Sequence, residues 1–142
     1  MKKLLLPVVV LLVLVGCDKD KFQTKPQITI KDYTEVVPRQ GQLEIRLEFT
    51  DKEGDLSEGS FVYIPVRLNQ KPLPAGVEYD SIKSVIPKFP NNDKGDFFLK
   101  LPHIFLLKSP TENDTLVFRM VVVDRAGNKS DTVSSDKIII LQ

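Results

Sequence analysis

The chain has 142 residues, with 20 Lys and Arg against 19 Asp and Glu, one cysteine, one histidine and no tryptophan. A formal charge of +1 supplies no field for nucleic acid, and no basic cluster interleaves with aromatics. One cysteine excludes disulfides and multi-thiolate metal sites within the chain, while one histidine, His103, excludes histidine-rich zinc sites and leaves any Ser-His-Asp arrangement dependent on a single residue.

The chain opens with Lys2 and Lys3, a 12-residue apolar run from Leu4 to Val15 interrupted by Pro7, then Gly16 and Cys17. A spanning helix needs about 20 apolar residues, so this run reads as an export signal and not as a stable anchor. Leu14-Val15-Gly16-Cys17 resembles a bacterial lipobox. The resemblance implies a signal peptide over 1–16, cleaved to leave Cys17 as an acylated (palmitate-type) first residue, and a lipidated tether over 17–26. Several acyl chains at about 0.8 kcal/mol per buried methylene would anchor it durably. An uncleaved anchor and an ordinary secretory signal with an incidental cysteine are the alternatives. Cleavage removes Lys2 and Lys3 and turns the formal charge to −1. Cys17-Asp18-Lys19-Asp20-Lys21 resembles the surface-export signal of Bacteroidota lipoproteins, whereas Asp directly after the cysteine resembles the inner-membrane retention signal of enteric ones. The expectation adopted is the cell envelope, outer membrane over inner.

From Gln27 on, apolar residues recur with a period of two, because successive strand side chains face opposite sides. Strands are predicted over Gln27–Thr34, Gln42–Thr50, Ser60–Leu68, Ser81–Ile86, Asp96–Leu101, Thr115–Asp124 and Asp136–Leu141. In Gln42–Thr50, Leu43, Ile45, Leu47 and Phe49 share one face and Gln42, Glu44, Arg46 and Glu48 the other. Pro65 marks an edge or bulge. Thr115–Asp124 is nearly all apolar, which suits a central strand, with Arg119 pointing outward. Turn-rich segments separate these runs, and no stretch keeps helical periodicity. The expectation is an all-β domain over 27–142, about seven strands in a two-sheet sandwich.

Leu47-Glu48-Phe49-Thr50-Asp51-Lys52-Glu53-Gly54-Asp55-Leu56 resembles a segment of small Bacteroidota lipoproteins, and Val122-Val123-Asp124-Arg125-Ala126-Gly127-Asn128-Lys129-Ser130 is similar to the ending of bacterial immunoglobulin-like domains. The resemblance implies an immunoglobulin-like β-sandwich and does not imply an enzyme. The cysteine pair and buried tryptophan of antibody domains are missing, so only the broader sandwich class is implied.

Asp51, Glu53 and Asp55 alternate around Gly54, and Asp124 and Asn128 flank the turn after the strongest strand. If the two loops share one end of the sandwich, their oxygens suit calcium, a hard cation taking six to eight of them. The spacing is not that of an EF-hand, and Lys52 opposes it. The competing reading is turn chemistry, with Asp51 and Asp124 capping backbone amides. Among the aromatics, Phe61 and Tyr63 read as core. The adjacent Phe97 and Phe98 face opposite sides, so one of the pair is a candidate partner contact. Asp80-Ser81-Ile82, Asp114-Thr115-Leu116 and Asp131-Thr132-Val133 resemble Bacteroidota O-glycosylation acceptors and read equally as turns leading into strands.

The functional expectation is a lipid-anchored extracytoplasmic binding module presenting its end loops, Asp51–Gly59 and Asp124–Ser130, to an envelope protein or glycan, with calcium as the one candidate cofactor and no catalytic residue. A structural subunit of an envelope complex, using a sheet edge or Phe97 and Phe98, is the alternative. No serine elbow or phosphate loop is present, which argues against an enzyme.

Overall fold

The computed structural model describes residues 25–142. The expected signal peptide, Cys17 and all but the last two residues of the expected tether lie outside the described residues. Among the described residues nine strands form two sheets, an immunoglobulin-like β-sandwich. The first sheet has the order β1 (Gln27–Tyr33), β3 (Gln42–Thr50), β6 (Lys94–Pro102). The second has the order β2 (Val36–Val37), β9 (Ile138–Ile140), β7 (Asp114–Val123), β4 (Ser60–Arg67), β5 (Ile82–Val85), with β8 (Val133–Ser134) also pairing β7. All pairings are antiparallel except β2 with β9.

The alternation read in β3 holds residue by residue: Leu43, Ile45, Leu47 and Phe49 are buried, and the residues between them face outward. They meet Leu116, Phe118, Met120 and Val122 of β7 in one core with Ile138, Ile140, Phe61 and Tyr63. Each fully buried side chain of this size contributes about 1.5–3 kcal/mol. No disulfide ties the sheets. Aromatic contacts tie them instead, with Phe97 of β6 edge-on to Phe61 of β4 at 5.2 Å between centroids. β7 is central, and Arg119 is exposed as alternation requires. At Pro65 the chain behaves as an edge, since β5 covers only Ser60–Tyr63 of β4.

Three elements were not anticipated. β2 carries the chain from the first sheet to the second straight after β1, adding a two-residue parallel rung to β9. β8 lies in a segment, Ser130–Asp136, that reads as turn. Two serines there complete β7's edge: Ser130 and Ser135 donate backbone N–H to Val122 and Phe118 carbonyls, and their hydroxyls accept the N–H of the same two residues. The third is the helical turn α1 (His103–Leu106), which buries Leu106 and leaves Ile104 and Phe105 exposed.

The buried carboxylate of Asp114, at the start of β7, ties down the loops at that end. It is fully buried and accepts hydrogen bonds from the backbone N–H of Lys108 (2.7 Å) and Ser109 (2.8 Å), the Tyr79 hydroxyl (2.9 Å) and Arg67 Nε (2.5 Å). Arg67 also reaches Glu112 at 2.6 Å. Burial alone would push the Asp114 carboxyl up, but Arg67, the two amides and Tyr79 together hold it below the ordinary range. A depressed folded-state pKa contributes stability above the ordinary aspartate value, and that stability is lost as pH falls through it. Two outcomes are expected. Asp114→Ala should cost about 3 kcal/mol in urea unfolding at neutral pH, because the Tyr79 hydroxyl and the Lys108 and Ser109 amides lose their acceptor and Arg67 keeps only Glu112 and the Lys71 carbonyl. Wild-type stability should also fall steeply below about pH 4, and Asp114→Asn should flatten that part of the curve. A parallel pH dependence in the two proteins would refute the assignment.

Candidate cation site

β3 ends at Thr50 and β7 at Val123, and both face the same end of the sandwich because Ser60, which follows the Asp51–Gly59 loop, pairs with Val123. The loops leaving these strands are therefore neighbours. Gly59 allows the closest approach: a Cβ there would lie 2.3 Å from the Val123 carbonyl oxygen. One backbone bond joins the loops, from Arg125 N–H to the Asp55 carbonyl at 3.2 Å. Gly54 turns the first loop at φ +68° and Gly127 the second at φ +91°, values that favour glycine.

Within this frame Asp51, Asp55 and Asp124 converge, each offering a carboxylate oxygen within 4.8 Å of the others. Two ligands on opposite sides of a calcium ion at 2.3–2.6 Å stand at most about 5 Å apart, so the spread matches one calcium coordination sphere. The octahedral shell of magnesium, at about 2.1 Å, is tighter. Asp51 is 1% and Asp124 4% exposed. The Oδ1 of Asp55 is buried and has no hydrogen-bond partner. An orphaned buried carboxylate oxygen is costly, and a bound cation would satisfy it. Burial is the largest influence on Asp51 and raises its pKa, the neighbouring Asp55 and Asp124 push the same way, and the backbone amides of Glu53 and Asp55 oppose them.

The turn-capping roles are present in the same loops. Asp51 accepts the N–H of Glu53 at 3.3 Å and of Asp55 at 3.0 Å, and Asp124 accepts the N–H of Asn128 at 2.7 Å. Two of the five expected ligands stand apart from the cluster. Glu53 is exposed, because it sits in the turn that the Gly54 N–H closes on the Asp51 carbonyl at 3.0 Å; only its backbone amide joins the site. Asn128 meets Asp124 with its side-chain amide N–H at 2.9 Å, so it orients that carboxylate. Glu58 lies at the rim, 3.7 Å from Arg125.

The other candidate residues fall elsewhere. His103 lies at the opposite end, across the nine-residue length of β3, about 30 Å at 3.3 Å per residue. Its Nε2 is 2.5 Å from the Leu141 carbonyl oxygen. Phe97 packs inward against Phe49 and Phe61 and is not available to an outside partner; Phe98 is 50% exposed, with the Lys100 ammonium 5.5 Å from its ring centroid. Ser81 and Thr132 are exposed, whereas Thr115 lies inside β7 opposite Ile139, beside the buried Asp114. The Asp114 cluster went unforeseen in the sequence, where Arg67 and Asp114 stand 47 positions apart with no shared motif.

No family model matches the chain, and no curated protein matches it in sequence. Among solved structures it is similar to a cohesin module from a Clostridium perfringens family 33 glycoside hydrolase (19% identity, 83% of this chain and 98% of that one, TM-score 0.43). It is also similar to a conjugative transposon lipoprotein from Bacteroides eggerthii (14%, 80% and 95%, TM-score 0.38) and to the major pilin subunit BcpA of Bacillus cereus (11%, 82% and 40%, TM-score 0.42). These likenesses concern the path of the chain, and no site residue or activity is carried over from them.

Proposed function

We propose that the protein is a lipid-anchored, non-enzymatic interaction module of the bacterial cell envelope, whose two loops at the tether end are pinned together by calcium. The observation that carries the calcium part is the convergence of Asp51, Asp55 and Asp124 around a buried, unpartnered Asp55 oxygen. The anchor rests on Gly16-Cys17 and its apolar approach, and the outer membrane on the charged residues that follow.

In this reading the two ends of the module have different tasks. Gln27 pairs with Thr50, so the chain from Cys17 enters beside the carboxylate loops, and Lys25 there reaches Asp131 at 2.5 Å. A tether of nine residues before Pro26 spans at most about 30 Å. The carboxylate loops are thus the base of the module, nearer the bilayer, and calcium would stiffen that base. The far tip carries Ile104 and Phe105, 78% and 69% exposed. Recognition thereby moves from the Asp51–Gly59 and Asp124–Ser130 loops, where the sequence pattern places it, to that tip and the outer sheet faces, with a protein or glycan of the envelope as the partner class.

Calcium at about ten times its dissociation constant should stabilise the protein by about 1.4 kcal/mol, a shift of several degrees in melting temperature that EDTA reverses. Asp55→Asn should melt higher than wild type in EDTA, because a like charge is removed, and should lose the calcium shift. Glu53→Gln should keep it. No shift at 5 mM calcium, or an undiminished shift in Asp55→Asn, would sink the calcium reading. For the anchor, wild-type protein from the cells that make it should incorporate labelled palmitate and Cys17→Ser should incorporate none; equal labelling of the two would sink the lipid reading.

A further inference from the structure

The two sheets end in edges of unequal quality. In the five-strand path the outer members are β2, two residues long, and β5, four residues long. In the other sheet β1 is interrupted by a register shift between Ile30 and Asp32, which twists an edge away from further pairing. β6 differs from all three. Its nine residues run in unbroken register with β3, from Thr50↔Lys94 to Gln42↔Pro102, and among the described residues no strand pairs with its other side. A row of unmatched N–H and C=O groups along such an edge is a template for another strand.

The outward face of β6 holds Lys94, Asp96, Phe98, Lys100 and Pro102. This order reads as its own complement. When two copies of β6 lie antiparallel about a two-fold axis at Phe98, Asp96 of each copy stands opposite Lys100 of the other, and the two Phe98 rings face one another. The inward residues pair Phe97 with Leu99 and Gly95 with Leu101. A shift of the axis to Phe97 would instead set Lys94 against Lys100, a like-charge pair. Each charged residue already has a partner within its own sheet: Asp96 with Arg46 at 2.8 Å and Lys100 with Glu44 at 2.8 Å. The cross-copy pairs would extend that row of alternating charges across the axis. Opposite-charge pairs fix register, the half-exposed Phe98 gains an apolar neighbour, and an isologous two-fold contact closes on itself without growing into a fibre.

We propose that the protein forms a two-fold homodimer through antiparallel β6–β6 pairing centred on Phe98, joining the three-stranded sheets of two copies into one of six strands. The occupant of the edge is a second copy, since the charge order on β6 is self-complementary.

The test uses the full chain in the membranes of the cells that make it. In an antiparallel pair the two residues at the axis have Cα atoms about 4.5–5.5 Å apart, within disulfide reach. Phe98→Cys should therefore give a disulfide-linked self-dimer after diamide oxidation, while wild type, with Cys17 alone, and Val85→Cys, at an exposed position on the β5 edge, should not. Adding Lys100→Asp to Phe98→Cys should lower the yield at least tenfold by setting Asp96 against an aspartate. No self-adduct at Phe98→Cys, an adduct to a different protein in its place, equal self-adducts at Val85→Cys, or a yield unaffected by Lys100→Asp would each overturn the pairing.

Discussion

The structure depends on the packing of β3 against β7 across the sandwich. Leu43, Ile45 and Leu47 on one side, and Leu116, Phe118, Met120 and Val122 on the other, are completely shielded from water. Antibody-type domains reinforce that contact with a disulfide against a tryptophan. With neither available, shape-matched apolar side chains hold the sheets together, helped by the Phe49, Phe61, Phe89 and Phe97 rings at the side of the core. A domain of this size is stable by about 5–15 kcal/mol, so even one truncated core side chain would remove a substantial share.

The sandwich has two chemically different ends, and buried aspartates define both. At one end Asp114 sits among donors: Arg67, Tyr79 and two amides all aim at it, and its charge is stabilised. At the other, Asp51 sits among two more carboxylates, and burial and repulsion outweigh the amides that cap it. The same side chain is a fastener in the first setting and a source of stress in the second. That contrast gives the Asp51, Asp55 and Asp124 cluster its chemical meaning, because a divalent cation would convert repulsion into cohesion. The described chain enters β1 at the stressed end, where Gln27 pairs with Thr50.

The two sheets also differ in their outer surfaces. β3 and β6 carry a grid of alternating charges, Glu44 with Lys100, Arg46 with Asp96, Glu48 with Lys31 and Lys94. Exposed ion pairs of this kind add little stability. Their regular order along an edge of unbroken register matters more as a code for what can pair there.

Much of this was legible in the chain itself. The period of two marked the seven longer strands, and it assigned the face of each side chain in β3 and the inward side of Phe61 and Tyr63 in β4, because alternation is a local property of extended backbone; β7, with Met120, Val121 and Val122 all buried, read only as a central apolar run. Alternation also assigned the exposure of Arg119 and the split between Phe97 and Phe98. Turn residues marked the two loops and their capping aspartates. What the sequence could not specify were contacts between residues far apart along it. The two-residue strands β2 and β8 are too short for any period, and they exist because neighbouring strands and Ser130 and Ser135 satisfy their surroundings. Which carboxylates meet depended on β4 pairing with β7, which sets Asp55 beside Asp124. The partnership of Arg67 with Asp114 has the same origin. Local chemistry decides what each segment is; the pairing of distant strands, driven by burial of the faces they share, decides which polar groups must answer one another.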